Sequence, residues 1–256
     1  MRFNAKNIWI TGASSGIGEA LAVAFSREGA RLILSARNAA ELERVRASCA
    51  DSETHVVLPL DLTDAEAIAR AAEQAGDVDI VVHSGGVSQR SLAIDTDLAV
   101  ERAIMDLNFF GTVALTKAVL PRMVARQSGH IVPISSVVGY VGTPLRSAYA
   151  ASKHALHGYF DSLRAELAKD GIAVTIVCPG YIRTNVSRNA LTGDGSAHGK
   201  MDDTHAGAMP PARLAARALD AIAARRREVV IGGKERWAVP LQRFVPALVA
   251  RMVRMK

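Results

Sequence analysis

Cysteines, aromatic residues and long apolar runs are all scarce in this chain of 256 residues. Its two cysteines, Cys49 and Cys178, lie far apart in apolar stretches, which excludes a disulfide framework and predicts reduced, buried thiols. No Cys and His pair has zinc-finger spacing, so no metal site is predicted. No apolar run approaches the ~20 residues of a membrane-spanning helix, and the amino-terminal residues lack a signal-peptide pattern. We therefore expect a cytoplasmic protein, at most associated with a membrane surface.

What the chain does contain is an ordinary globular composition with a basic excess. Apolar residues make up 49% and charged residues 22%, which excludes a disordered chain. The formal net charge is +6, much of it near the carboxyl terminus. Charge alone fits a nucleic acid, an anionic cofactor or lipid headgroups. Because no nucleic-acid motif or aromatic stacking platform is present, we expect no nucleic-acid partner.

Short, continuously apolar runs alternate with Ala-rich segments of helical periodicity. Such runs are typical of strands buried on both faces of a parallel sheet. The predicted strands are 8–11, 31–35, 55–60, 79–83, 129–135, 173–178 and 229–231. The predicted helices are 16–28, 38–50, 64–75, 97–127, 147–169 and 210–225. The alternation predicts a single-domain α/β Rossmann fold with a seven-stranded parallel sheet, order 3-2-1-4-5-6-7, and helices on both faces.

Residues 1–236 are predicted to form the catalytic domain and residues 237–256 a basic amphipathic segment. The stretch 181–209 is rich in Gly, Asn, Asp and Ser and is longer than ordinary connections of this fold. A loop of this length in a compact domain is usually functional, so we expect it to cover a substrate. The segment 237–256 fits an anionic membrane surface, and it equally fits packing on the core or across an oligomer interface.

A glycine-rich turn follows the first strand and opens the first helix. A helix start offers free N–H groups, and glycine lets the backbone approach a phosphate. The spacing is G-x-x-x-G-x-G rather than G-x-G-x-x-G, and a plain tight turn is the alternative. The residues predicted to hold a dinucleotide here are Gly12, Ser14, Ser15, Gly16, Ile17 and Gly18.

The ends of the second and third strands bear on the type of dinucleotide. No acidic residue lies between Ala30 and Ala40, and Arg37 follows the second strand. An acidic residue would hold a ribose 2′-hydroxyl, whereas arginine suits a 2′-phosphate, so NADP(H) is favoured over NAD(H). The alternative is that Arg37 is a solvated strand-end residue. Asp61 and Leu62 lie where adenine would bind, although Asp61 is equally typical of a helix N-cap.

Tyr149 and Lys153 are four residues apart in a helical segment, which places them on one helix face. A nearby ammonium favours the phenolate and is expected to lower the tyrosine pKa, which suits a general acid or base. Ser136 follows an apolar strand, at the edge of the sheet where ligands bind in such folds. Its hydroxyl is placed to donate to a carbonyl oxygen as negative charge develops.

With these motifs in this order, the chain closely resembles the short-chain dehydrogenase/reductase family from residue 7 to about residue 233. The resemblance implies that Tyr149 exchanges the proton, that Ser136 orients the carbonyl and that Lys153 also holds the nicotinamide ribose. It implies that Asn108 distorts its helix and anchors a proton-relaying water. It further assigns cofactor contacts to Ser84, Gly85, Asn108, Tyr149, Lys153, Pro179, Gly180, Ile182 and Thr184.

One element departs from the family pattern. His83-Ser84-Gly85-Gly86 stands where relatives usually have Asn-Asn-Ala-Gly, and we interpret His83 as a structural hydrogen-bonding residue rather than a base. The stretches 88–97 and 152–167 resemble the dehydrogenase/reductase member seven branch, whose substrates are poorly defined lipophilic carbonyls.

These observations together predict an NADP(H)-dependent oxidoreductase that interconverts a lipophilic ketone or aldehyde and a secondary alcohol. The alternative function is a catalytically silent dinucleotide sensor or interaction module. The resemblance implies a homodimer or homotetramer.

Overall fold

The structure, a computed structural model, describes residues 1–202 and 207–254. The strands are β1 (Asn7–Thr11), β2 (Arg31–Ser35), β3 (Val56–Val57), β4 (Ile80–His83), β5 (Gly129–Pro133), β6 (Ile172–Val174), β7 (Ile176–Pro179) and β8 (Glu228–Ile231). The helices are α1 (Gly16–Arg27), α2 (Ala39–Ser48), α3 (Ala65–Ala75), α4 (Leu98–Met105), α5 (Gly111–Ala125), α6 (Ser147–Glu166), α7 (Pro211–Ala223), α8 (Ala238–Phe244) and α9 (Pro246–Met252). Residues 203–206 of the predicted substrate loop and 255–256 of the predicted terminal segment lie outside the described residues.

The parallel sheet confirms the predicted fold class but not seven strands in one continuous ladder. Six strands pair in the order β3-β2-β1-β4-β5-β6, and β7 pairs with β8 in a separate ladder. The predicted sixth strand divides at Thr175, whose hydroxyl donates to the Arg226 carbonyl and contacts the His130 ring. The ladders still touch, because the Ser135 N–H donates to the Val177 carbonyl at 2.8 Å. The order of the strands along the sheet is therefore the predicted one.

Helices cover both faces of the sheet, as predicted. Alternate residues of β1 point to opposite faces, so Ile8 packs in one core cluster and Trp9 in the other. The first cluster lies against α1, α2 and α7, and the second against α3, α5 and α6. Cys49 and Cys178 are buried, one in each cluster, and both are free thiols. The prediction of reduced, buried cysteines is therefore confirmed.

A single continuous helical stretch connects α4 to α5 through a π-helical turn, Asp106–Phe110. By length and composition alone this 28-residue stretch, Leu98–Ala125, is able to cross a membrane. Its residues Leu115, Val119 and Met123 are buried against the sheet. The α5 part of the stretch therefore packs on the core, and the π turn carries one of the predicted site residues.

Candidate active site

A large cleft opens where the carboxyl ends of the parallel strands meet. Its volume of about 1200 Å³ exceeds the ~300–1,000 Å³ of typical small-ligand pockets. The predicted residues that line it are Gly12, Ser14, Ser15, Gly16, Ile17, Arg37, Asp61, Leu62, Ser84, Gly85, Ser136, Tyr149, Lys153, Pro179, Gly180, Ile182 and Thr184. Gly18 and Asn108 do not line the cleft but contact residues that do, Gly12 and Val87 respectively. The cleft therefore brings together residues from distant parts of the chain.

The glycine turn at one end of the cleft is shaped by close backbone contacts. Gly12 has φ +64°, and a Cβ there would lie 2.7 Å from the backbone of Ser84 and Gly85. A Cβ on Gly18 would overlap the carbonyl of Gly12. The turn thus packs directly on the loop after β4, with the amino terminus of α1 lining the cleft. Free N–H groups at a helix start fit the pyrophosphate of a dinucleotide.

Arg37 and Asp61 line the next part of the cleft. Arg37 is exposed just beyond β2. The pKa of Asp61 is lowered, chiefly because the backbone N–H of Thr63 donates to its carboxylate and also because Arg37 is near. The N-cap of α3 is Asp64, which accepts from the Ala67 N–H at 2.9 Å. The helix-cap alternative for Asp61 is therefore wrong, and its carboxylate remains part of the cleft.

Ser136, Tyr149 and Lys153 meet at the other end of the cleft. Ser136 lies on the turn after β5, where its hydroxyl donates to the Pro179 carbonyl at 3.4 Å and lines the same cleft as the Tyr149 side chain. Lys153 lies one helical turn after Tyr149, with its Nζ 5.7 Å from the centre of the phenol ring. This arrangement agrees with the spacing argument for one helix face. It presents a hydroxyl, a phenol and an ammonium to one cavity.

The electrostatics of the tyrosine differ from the expectation. Burial raises the pKa of the Tyr149 phenol, while the Ser136 hydroxyl and the guanidinium groups of Arg146 and Arg90 act in the lowering direction. The Lys153 ammonium instead donates to the Ile134 carbonyl at 2.9 Å. Burial lowers the pKa of Lys153 to about 8. The expected lowering of the tyrosine pKa by Lys153 is therefore not seen here, because that ammonium is buried and bonded elsewhere.

Asn108 lies in the π turn, which is the helix distortion that the resemblance implies. Its Oδ1 accepts from the Val87 N–H at 2.8 Å, and its Nδ2 donates to the Val87 carbonyl at 2.9 Å. The same Nδ2 donates to Ser152 Oγ at 3.0 Å. One fully buried amide thus ties the loop after β4 to α6, the helix that carries Tyr149 and Lys153.

Three polar residues of the cleft region escaped sequence reasoning. Arg90 Nη2 and Asp202 Oδ2 are 2.5 Å apart, and Arg146 Nη2 lies 3.1 Å from the same oxygen. The Arg90 hydrogen bond is the main reason why the pKa of Asp202 is lowered to about 2. Arg90 and Arg146 line the cleft, so its substrate end is not apolar throughout. The one available signal was that Arg146 precedes Tyr149 by three residues, directly before α6 begins.

Behind Ser135, the ligand atoms of His157, Cys178 and Glu228 lie within 4.8 Å of one another. His157 Nε2 is 2.9 Å from Ser135 Oγ, and the Tyr140 hydroxyl contacts Cys178 Sγ at 3.8 Å. Burial lowers the pKa of His157 to about 4 and raises the pKa of Cys178. The cluster therefore hydrogen-bonds to Ser135, in the turn after β5 that also carries Ser136. The absence of a metal stays a prediction.

His83, the departure from the family pattern, is buried at the end of β4. Its Nε2 is 2.9 Å from Thr116 Oγ1, and its Nδ1 has no hydrogen-bond partner among the described residues. Burial lowers the pKa of His83 to about 3. The ring is therefore a neutral hydrogen-bonding group outside the cleft lining, in agreement with the structural interpretation.

This burial predicts acid sensitivity. Between the ordinary histidine pKa of 6.5 and the folded value of about 3, the unfolded chain binds a proton that folded His83 does not. The contribution of His83 to the free energy of unfolding therefore falls as pH drops from about 7 to about 5. Well below pH 6.5 this contribution falls by about 1.4 kcal/mol per pH unit. His83→Asn is expected to show a shallower pH dependence in denaturant titrations. Exposed His154→Asn is the control, and identical slopes for both variants and the parent would contradict the prediction.

Comparisons with known proteins agree with this geometry. A family model described as short chain dehydrogenase matches residues 6–194. A dehydrogenase/reductase SDR family protein 7-like from Anopheles gambiae is 49% identical over 238 residues, which cover 89% of this chain and 75% of that protein. Dehydrogenase/reductase SDR family member 7B from Bos taurus is 43% identical, and the match covers 99% of this chain and 82% of that protein.

Solved structures match over nearly the whole chain. A short-chain dehydrogenase from Streptomyces avermitilis has a TM-score of 0.82 and 30% identity, and covers 97% of this chain and 96% of its own. A short-chain dehydrogenase/reductase from Burkholderia phymatum, solved in complex with NAD, has a TM-score of 0.84 at 22% identity, with the same coverage of 97% and 96%, and supports the fold. The chain therefore belongs to the short-chain dehydrogenase/reductase family, oxidoreductases that act on CH–OH and C=O groups with NAD or NADP.

Proposed function

We propose that the protein is an NADP(H)-dependent oxidoreductase that interconverts a lipophilic ketone or aldehyde and a secondary alcohol. The main support is that Tyr149, Ser136 and Lys153 line the same cleft as the glycine turn. A dinucleotide sensor needs the turn but has no use for a phenol paired with a hydroxyl. The combination therefore favours catalysis over a silent binding module.

A nicotinamide held in this cleft would supply or accept the hydride. The Tyr149 phenol gives its proton to the substrate oxygen during reduction and takes it back during oxidation. Ser136 donates a hydrogen bond to the same oxygen and stabilises its developing negative charge. Lys153 holds positive charge beside the phenol ring, and the Arg146 and Arg90 guanidinium groups offset part of the effect of burial on the phenol.

A lipophilic substrate is supported by the wall next to the catalytic residues. Val137, Val138 and Val141 line the cleft beside Ser136. Burying apolar substrate atoms against this wall contributes about 25 cal/mol per Å². The guanidinium groups of Arg90 and Arg146 give the same end of the cleft a polar side, which orients the substrate.

The preference for NADP(H) rests on Arg37. We expect Arg37→Asp to raise the KM for NADPH by about 100-fold, because a carboxylate repels the 2′-phosphate that the guanidinium binds. The KM for NADH should fall or stay constant. Arg31→Asp, at the opposite end of β2 and outside the cleft lining, is the matched control. Steady-state kinetics with both cofactors measure the effect, and unchanged selectivity would count against this assignment.

Turnover itself is tested by following NADPH absorbance with a panel of ketones and aldehydes of increasing chain length. We expect kcat/KM to rise with apolar chain length. The silent sensor would be favoured if the protein bound NADPH tightly but neither reduced any carbonyl with NADPH nor oxidised any secondary alcohol with NADP.

A homo-oligomer is also part of the proposal. Leu98 and Phe110 are exposed apolar side chains that line a shallow depression between α4 and α6. A second copy packed on this surface would remove both from water. Mass measurement in solution tests this, and a monomer at micromolar concentration would contradict it.

A further inference from the structure

The last helices leave large apolar side chains in water. We name residues 236–254, which contain α8 and α9, the C-terminal hairpin. Among its side chains Trp237 is 60% exposed, Phe244 76% and Met252 67%, while Val249 is buried and attaches α9 to the body of the protein. Val245 and Leu248 are exposed as well. From this surface we infer that the C-terminal hairpin binds an anionic membrane.

The charge of the hairpin identifies the partner. Residues 236–254 contain Arg236, Arg243, Arg251 and Arg254 and no acidic residue, which gives a net charge of +4. All four arginines are exposed between the exposed apolar side chains. A short amphipathic segment with this combination binds in the headgroup region of anionic bilayers, where apolar burial and charge attraction add.

A second copy of the chain suits this surface less well. A two-fold symmetric contact brings identical patches together, so the arginines of one hairpin would face those of the other. Like charges at an interface oppose association, and the hairpin holds no carboxylate to offset them. An anionic bilayer complements both the charge and the apolar surface.

The hairpin also adjoins the mouth of the cleft. Ala238, Met252 and Val253 are part of the cleft lining. Just before the hairpin, the Glu235 carboxylate accepts from the Tyr181 N–H at 2.8 Å, which ties this end of the chain to the start of the substrate loop. A membrane bound at the hairpin would therefore lie beside the cleft entrance, where a lipophilic substrate can enter from the bilayer. Membrane binding itself does not depend on the proposed reaction.

The test is sedimentation of the full chain with vesicles of phosphatidylcholine alone or mixed with phosphatidylserine. We expect binding to the mixed vesicles, weakened at high salt, and little binding to phosphatidylcholine alone. Phe244→Glu should weaken binding by about tenfold or more, because the variant loses the ring that would enter the bilayer and adds a charge that anionic headgroups repel. Ile94→Glu is the matched control, since Ile94 is an apolar side chain 91% exposed elsewhere on the protein.

Thermal unfolding and NADPH binding of both variants should match the parent, which separates a lost surface from a lost fold. Absence of binding to the anionic vesicles at low salt would overturn the inference. Equal loss in Phe244→Glu and Ile94→Glu would overturn it too. If the parent protein does not bind vesicles and is a dimer, and Phe244→Glu is a monomer, the hairpin would instead form a protein interface.

Discussion

Replacement of Tyr149 by phenylalanine is expected to lower kcat by about 10³-fold, within the range of a lost general acid. The change removes only the hydroxyl, so the half-buried ring keeps its packing and its place beside Lys153. Ser136 is unchanged and remains able to bind the substrate oxygen. The KM for NADPH should stay within about twofold, because the phenol proton takes part in the chemical step and not in cofactor binding.

Tyr159→Phe is the matched control for this experiment. Tyr159 lies on the same helix, is half-buried against Phe109 and Phe160, and does not line the cleft. Its variant should keep full turnover. Steady-state rates and thermal unfolding of both variants give the comparison. Full activity of Tyr149→Phe would remove the proton-transfer role, and equal loss in both variants would indicate a general effect of hydroxyl removal on the helix.

The position of the catalytic residues was predictable from sequence, but their electrostatics were not. The four-residue spacing of Tyr149 and Lys153 suffices to place both on one face of α6. The pKa of each group depends on burial and on which atom receives each hydrogen bond. The Lys153 ammonium bonds to the Ile134 carbonyl, 19 residues earlier in the chain. No local pattern encodes that contact.

The same limit applies to the substrate end of the cleft. Arg90 and Asp202 are 112 residues apart in the chain, and Arg146 and Asp202 are 56 apart. Each alone resembles an ordinary surface charge. Only the folded chain brings two guanidinium groups to one carboxylate, so the sequence predicted a lipophilic substrate but not the polar side of the cleft.

More of the fold than of the site was predictable from the sequence, because the alternation of strands and helices indicates the class of sheet. The division of the sixth strand was not predictable. Residues 173–178 read as one continuous apolar strand, and Thr175 is as strand-forming as its neighbours. Its hydroxyl contact with the Arg226 carbonyl, 51 residues later, divides the ladder there.

Gly18→Ala is expected to lower the free energy of unfolding by about 3 kcal/mol, at the upper end for overpacking, and to abolish measurable NADPH binding. The new methyl group would overlap the Gly12 carbonyl, and its next contacts are the Gly12 carbonyl carbon at 2.7 Å and Ala13 Cα at 3.1 Å. All three are backbone atoms, which cannot rotate away as a side chain does. The turn must therefore shift, and the space beside Gly12 is also too small for a Cβ, which would lie 2.7 Å from the loop after β4.

Gly158→Ala separates this close contact from the general effect of replacing a helical glycine. Gly158 lies within α6, and a Cβ there meets nothing within 4 Å. Alanine should therefore raise the free energy of unfolding by about 0.5–1 kcal/mol, because glycine loses more backbone entropy on folding. In denaturant titrations the change in the free energy of unfolding should have opposite signs for the two variants, and NADPH binding should be lost only in Gly18→Ala. This result would establish that the turn has no room for a Cβ. If Gly18→Ala bound NADPH normally, the close packing of the turn would not be required for the cofactor.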